Sequence, residues 1–188
     1  MILGYALSIP DIKSNMLEDL TLDECARYSN IYDLNIFDPN FKVRSKKYNI
    51  SGTYDGFAIV SELFKQFCEK ERYSGLEFCS LPSASGYYWF KIHNVIEFDA
   101  DARETQFLNY NESCKGYEEI IGATPVCLKN KMALSDGFFR TDLCFGSFAG
   151  KSPVELVGDA TKNKLITAGF NEIFYKKILD NYDWEKAK

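Results

Sequence analysis

Histidine is nearly missing from this chain: His93 is the only one in 188 residues. That thins the field of nucleophilic enzymes, because a serine or cysteine nucleophile needs a base within hydrogen-bond reach, usually a histidine. The six cysteines (Cys25, Cys68, Cys79, Cys114, Cys127 and Cys144) include no CxxC or CxxxC pair. A structural zinc site would have to collect its ligands from distant segments, and no metal or other cofactor is expected. Basic charge is not in excess either. The net charge is −5, the wrong sign for a nucleic-acid partner, whose phosphates call for a basic face. Long apolar runs are lacking, and nothing approaches the roughly 20 residues of a membrane span. The apolar stretch from Ile2 to Pro10 has no basic flank and no cleavage site of a signal peptide, so it reads as an N-terminal strand. Without an export signal the expected setting is the cytoplasm, and the expected thiol state is six reduced cysteines.

Aromatic residues are abundant, with 15 Phe and 12 Tyr. Most serve a core, since such rings bury large areas, and some of the tyrosines suit a binding surface. The length fits one domain spanning residues 1–188. The clearest segment begins with the β-prone run Phe57-Ala58-Ile59-Val60, followed by Ser61 as an N-cap. From Glu62 to about Tyr73, Leu63, Phe64, Phe67 and Cys68 recur on one face at helical spacing. Gly75 is placed to take the left-handed conformation that closes such a helix. Leu76 to Leu81 then alternates as a strand, ended by Pro82.

The same grammar returns later. Val154 to Val157 reads as a strand, Asp159 as the cap of a short helix carrying Leu165 and Ile166, and Gly169 as its stop. Asn171 to Ile178 is the β-prone run that follows. Between the two units lie further strands at Tyr87 to Phe98 (broken near His93-Asn94), Gln106 to Tyr110, Glu118 to Leu128 and Phe138 to Phe148. The expected class is α+β: a mixed, mostly antiparallel sheet with helices packed on it, containing two related strand–helix–strand units.

Few residues offer chemistry. A cysteine, His93 and an acid would make a small hydrolase or transferase, with Cys79 and Cys114 as the thiols that the fold would have to bring to His93. Asp99 and Asp101 share a face in an extended chain, yet their polar context reads as a solvated turn. Gly146 to Ser152 imitates a phosphate loop but lacks its first glycine and is followed by Pro153 rather than a helix. Arg140 and Asp142 stand two apart in the Phe138–Gly146 strand and so would face one side. Either they form a local ion pair, or Arg140 reaches an anionic group on a partner.

The run Ala58-Ile59-Val60-Ser61-Glu62-Leu63-Phe64-Lys65, followed by Ser74-Gly75-Leu76-Glu77-Phe78, resembles a segment of immunity proteins from bacterial polymorphic-toxin and contact-dependent competition systems. Phe138-Phe139-Arg140-Thr141-Asp142, followed by Val154 to Tyr175, resembles their C-terminal part. The resemblance covers residues 50–180 and leaves residues 1–50 without a counterpart. It implies a non-catalytic protein that binds and neutralises a cognate toxin domain. The alternatives are the small Cys/His93 enzyme and a small-ligand module with an aromatic pocket.

Overall fold

The apolar N-terminal run folds as expected into β1 (Ile2–Ser8), which lies one strand in from the edge of its sheet. In the computed structural model, which describes residues 1–181, β1 is followed by a long irregular segment. This segment holds a 3-10 turn at Glu24–Tyr28 and the single-turn helix α1 (Ile31–Leu34). Next come β2 (Ile50–Gly52), β3 (Ala58–Ser61), α2 (Glu62–Lys70), β4 (Leu76–Ser80) and β5 (Tyr87–Ile92). Then β6 (Val95–Ile96), α3 (Ala100–Arg103), β7 (Gln106–Asn111), β8 (Gly116–Ile121) and β9 (Phe138–Ser147) follow. A 3-10 turn at Phe148–Gly150 leads into β10 (Ser152–Val157), α4 (Asp159–Thr167) and β11 (Phe174–Leu179).

The class is α+β, as the sequence predicts, with two sheets in place of one. The larger is seven-stranded in the order β11-β1-β10-β9-β8-β7, with β6 pairing parallel to β9. The smaller is β2-β3-β5-β4. The break at His93-Asn94 has a clear role: it hands the chain from β5 in the small sheet to β6 in the large one. Both strand–helix–strand units form. In each, the two strands lie parallel with one antiparallel strand between them, β5 in the first unit and β1 in the second.

Ser61 caps α2 as predicted, its hydroxyl accepting from Phe64 N at 3.3 Å. Phe64 and Cys68 are the residues the helix buries. The helix stops earlier than its sequence suggests. Arg72 takes the left-handed backbone (φ 58°), and Tyr73 N closes back on Cys68 O. Gly75 is also left-handed, but it serves the turn into β4, where Asn94 occupies the space a side chain would need. At α4 the cap is Gly158, which has no side chain to offer; Asp159 is the first helical residue and its carboxylate accepts from Tyr5 OH.

One core lies between the sheets, where α2 and α4 meet Tyr5, Leu7, Val60, Phe90, Phe138 and Val157. A second covers the outer face of the small sheet, and the irregular N-terminal segment supplies Met16, Leu17, Ile31, Phe41 and Val43 to it. A third backs the large sheet around Phe98, Leu128, Phe145 and Leu156. Residues 1–50 are therefore integral to both sheets, supplying β1 to the large one and a covering layer to the small one.

One expectation is overturned. Cys25 and Cys114 form a disulfide across 89 residues, while Cys68, Cys79, Cys127 and Cys144 are free. Spacing alone cannot announce such a bridge, because its ends meet only through the tertiary fold. On loop-entropy grounds, closing a loop of this length constrains the unfolded chain by about 4–5 kcal/mol. No helix among the described residues is long and apolar enough to cross a membrane.

Candidate functional site

Arg140 and Asp142 part company because β9 is not regular between them. Cys144 opposes Pro153 and Arg140 opposes Glu155, so three residues of β9 face Val154 alone. This bulge is held by side chains. Thr141 Oγ1 accepts from Val154 N (2.9 Å) and donates to Leu143 O (2.7 Å), while Asp142 Oδ1 accepts from Phe98 N and Leu143 N. A count of two along an ideal strand predicts a shared face, and the bulge removes the premise. No ion pair joins Arg140 to Asp142. The Arg140 guanidinium donates to Ile92 O and Thr141 O and stacks 4.5 Å from the Tyr32 ring centre.

Arg140 thus lies in the seam between the sheets, beside two other polar groups. Tyr32, from α1, accepts from Ile92 N, and burial, its largest influence, pushes its phenol well above the usual range. Glu155 sits opposite Arg140 in register on the face of β10 that also carries Val157, a residue of the inter-sheet core. Glu155 is half-buried, and burial raises its carboxyl to about 7. The available signal for Glu155 was a lone acid inside the apolar run Val154–Val157.

The Cys/His alternative can be judged from geometry. Cys114 is consumed by the disulfide. Cys79 and His93 do share a neighbourhood, but Glu77 stands between them. Cys79 Sγ donates to Glu77 Oε1 (3.2 Å), and His93 Nε2 lies 2.9 Å from Glu77 Oε2. Lys91, opposite Glu77 in register, joins from the other side at 3.7 Å and also donates to Asn35. A cysteine nucleophile wants the base on its sulfur and a lowered pKa. Here burial first, and then the bond to Glu77, push the thiol up to about 11. Asp99 is likewise occupied, capping α3 through Ala102 N. Among the described residues no three His, Cys, Asp or Glu side chains gather as a metal site would require.

An exposed platform lies where the Glu24–Tyr28 turn, the β7–β8 turn and the Phe148–Gly150 turn meet. The Cys25–Cys114 disulfide ties the first two. Arg27 pairs with Glu118 of β8, and its guanidinium lies 5.1 Å from the Phe148 ring centre and 5.8 Å from that of Tyr28. Beneath them, buried Lys151 donates to the carbonyls of Phe148 (2.6 Å), Arg27 (2.8 Å) and Glu118 (3.3 Å). The lysine of the imitation phosphate loop is therefore a structural clamp, and burial lowers its ammonium to about 8.

On this platform Phe148 has a left-handed backbone (φ 55°) and is 53% exposed. A shallow groove of about 510 Å³ separates it from Tyr54, which is 62% exposed. The floor includes Leu17, and Asp55 is fixed there by accepting from Leu17 N and from Thr53 Oγ1. Sequence reading placed Phe148 at a strand end and offered nothing to pair it with Tyr54. No protein-family model, no curated protein and no solved structure matches the chain.

Proposed function

We propose that this protein works by stoichiometric binding of a protein partner through the Phe148–Tyr54 platform, and that the partner is a toxin domain which it silences. The observation that carries the binding reading is Phe148. A bulky residue in the left-handed region costs of order 1–3 kcal/mol and persists only where its surroundings impose it. This one is held by the Lys151 clamp and the Arg27 stack, and the result is a ring directed to solvent rather than to a core. Aromatic and arginine anchors of this kind carry most of the energy in protein interfaces. A shallow groove suits a protein surface better than a small ligand, which prefers an enclosed pocket.

That the partner is a toxin rests on the resemblance of the two strand–helix–strand segments to immunity proteins. The net charge of −5 favours a basic contacting face, with association slowing as salt rises. Action in the cytoplasm belongs to the same proposal and meets one structural condition. Disulfides persist in oxidising compartments, so in a reducing cytoplasm Cys25 and Cys114 would stand as thiols and the platform would rely on the Arg27 and Lys151 contacts.

The test is co-expression with candidate toxin domains, with growth and co-purification as readouts. Rescue should need about one molecule per toxin, and Phe148→Gly should lower affinity about 30-fold or more while the fold is kept, since glycine accepts the left-handed backbone. Rescue at far lower ratios would indicate turnover and replace the binding reading with an enzymatic one.

A further inference from the structure

On the other side of the Thr53–Gly56 turn from the groove, the seam between the sheets opens into a cavity of about 210 Å³. Its walls include Ile9, Phe57, Ala58 and Pro153, with Asp11 and Glu155 as its two carboxylates. We propose that this cavity receives a lysine or arginine side chain of the partner, its alkyl stem on the apolar walls and its charged head on Glu155. The inference rests on the protein-binding reading for the source of that side chain, and on the cavity alone for its chemistry.

The geometry favours this occupant on several counts. The volume suits one side chain rather than a drug-sized ligand, which needs about 300 Å³ or more. Long basic side chains readily lay their stems along apolar surface. No ion pair among the described residues involves Glu155, so a half-buried carboxyl that lines the cavity is left without a cation. Its neighbour in register, Arg140, directs its donors to Ile92 O and Thr141 O and its face to Tyr32. Asp11, solvent-exposed, adds a second negative charge. Two carboxylates without a third ligand fit an organic cation better than a metal ion.

The cavity also adjoins the proposed platform. Gly56 is left-handed (φ 85°), and a β-carbon on it would stand 2.5 Å from Ser152 Oγ, so the turn packs directly on the start of β10. The same turn carries Tyr54 and Asp55 on the groove side. One partner surface can therefore place an apolar group against Phe148 and Tyr54 and a basic side chain in the seam.

Binding should follow the ionisation of Glu155. The charged or titratable groups beside it are Arg140, opposite it in register, Tyr32 on α1 and Asp11 across the cavity. Burial pushes the Tyr32 phenol well above its usual range, so it stays neutral near pH 7. A cation held by the carboxylate form should bind about tenfold more tightly at pH 8 than at pH 6.

The experiment is an NMR titration of the intact protein with N-acetyl-lysine methylamide, N-acetyl-arginine methylamide and the uncharged N-acetyl-citrulline methylamide. Saturable shifts at the Ala58, Ser152 and Glu155 amides are expected for at least one cationic probe, with citrulline at least tenfold weaker. Glu155→Gln should lose binding at least tenfold and remove its pH dependence. Asp11→Asn, at an exposed position, should weaken binding less and keeps the test alive if Glu155→Gln does not fold. Absence of saturable binding, equal binding of citrulline, or wild-type binding indifferent to pH would each overturn the inference. Probe binding without any protein partner upholds the cavity and removes the toxin reading. Partner capture without probe binding does the reverse.

Discussion

The two strand–helix–strand units share a topology and differ in what holds their helices. In the first, α2 is amphipathic, begins at a serine cap and inserts Phe64 into a cluster of rings with Phe67, Phe90, Phe138 and Phe170. In the second, α4 has a glycine cap and buries only Thr161 and Leu165. Its hold is largely polar. Thr161 Oγ1 donates to Asp136 and accepts from Gly137 N, Asp159 accepts from Tyr5 OH, and Lys164 reaches both Asp136 and Glu71 at the end of α2. A helix with a weak apolar stripe can therefore be fixed by partners that lie far away in sequence.

That contrast can be broken at its strongest point by Phe64→Ala. Removing the shared ring should cost about 3–5 kcal/mol in a denaturant melt, since the cavity would lie where both helices meet. A cost below 1 kcal/mol would mean the rings are not one cluster. The polar character of the second unit should show next as a pH effect. The folded Glu155 carboxyl is raised to about 7 from an ordinary value near 4.5. The folded chain thus binds a proton that the unfolded chain has released across that interval. Stability should be fullest below the ordinary carboxylate value and fall as pH climbs to about 7, and Glu155→Gln should flatten this slope. An unchanged slope in that variant would assign the effect to another group.

Thr161→Val probes the polar hold on α4 itself. It keeps the shape and leaves Gly137 N without its buried acceptor, an expected loss of about 1–3 kcal/mol. The smallest effect belongs to the first unit's cap, where Ser61→Ala should cost about 1 kcal/mol. If the order of these two were reversed, the division between an apolar and a polar helix would fail.

The same division explains what was legible beforehand. Ser61, Phe64 and Cys68 speak through local rules of capping and periodicity, so the first unit could be read directly. Asp159 looked like a cap because aspartate suits that role, yet Gly158 takes it and the carboxylate turns to Tyr5, a residue at the other end of the chain. Arg140 was singled out together with Asp142 by their spacing along one strand. The bulge that separates it from Asp142 depends on Val154 and Phe98, which no count along β9 contains. The Cys25–Cys114 bridge and the pairing of Tyr54 with Phe148 are invisible for the same reason: each joins segments that only the finished fold brings together.

The placement of β1 has a consequence for how the molecule comes into being. Its two neighbours are β10 and β11, with Tyr5 paired to Val157 and Ile2 to Leu179. During synthesis the first strand leaves the ribosome long before either neighbour exists. It must wait, with its buried-to-be side chains Leu3, Tyr5 and Leu7 uncovered, until β10 and β11 are made. The small sheet, built from β2 to β5, has no such delay. Vectorial synthesis therefore favours early assembly of the small sheet and late closure of the large one around β1.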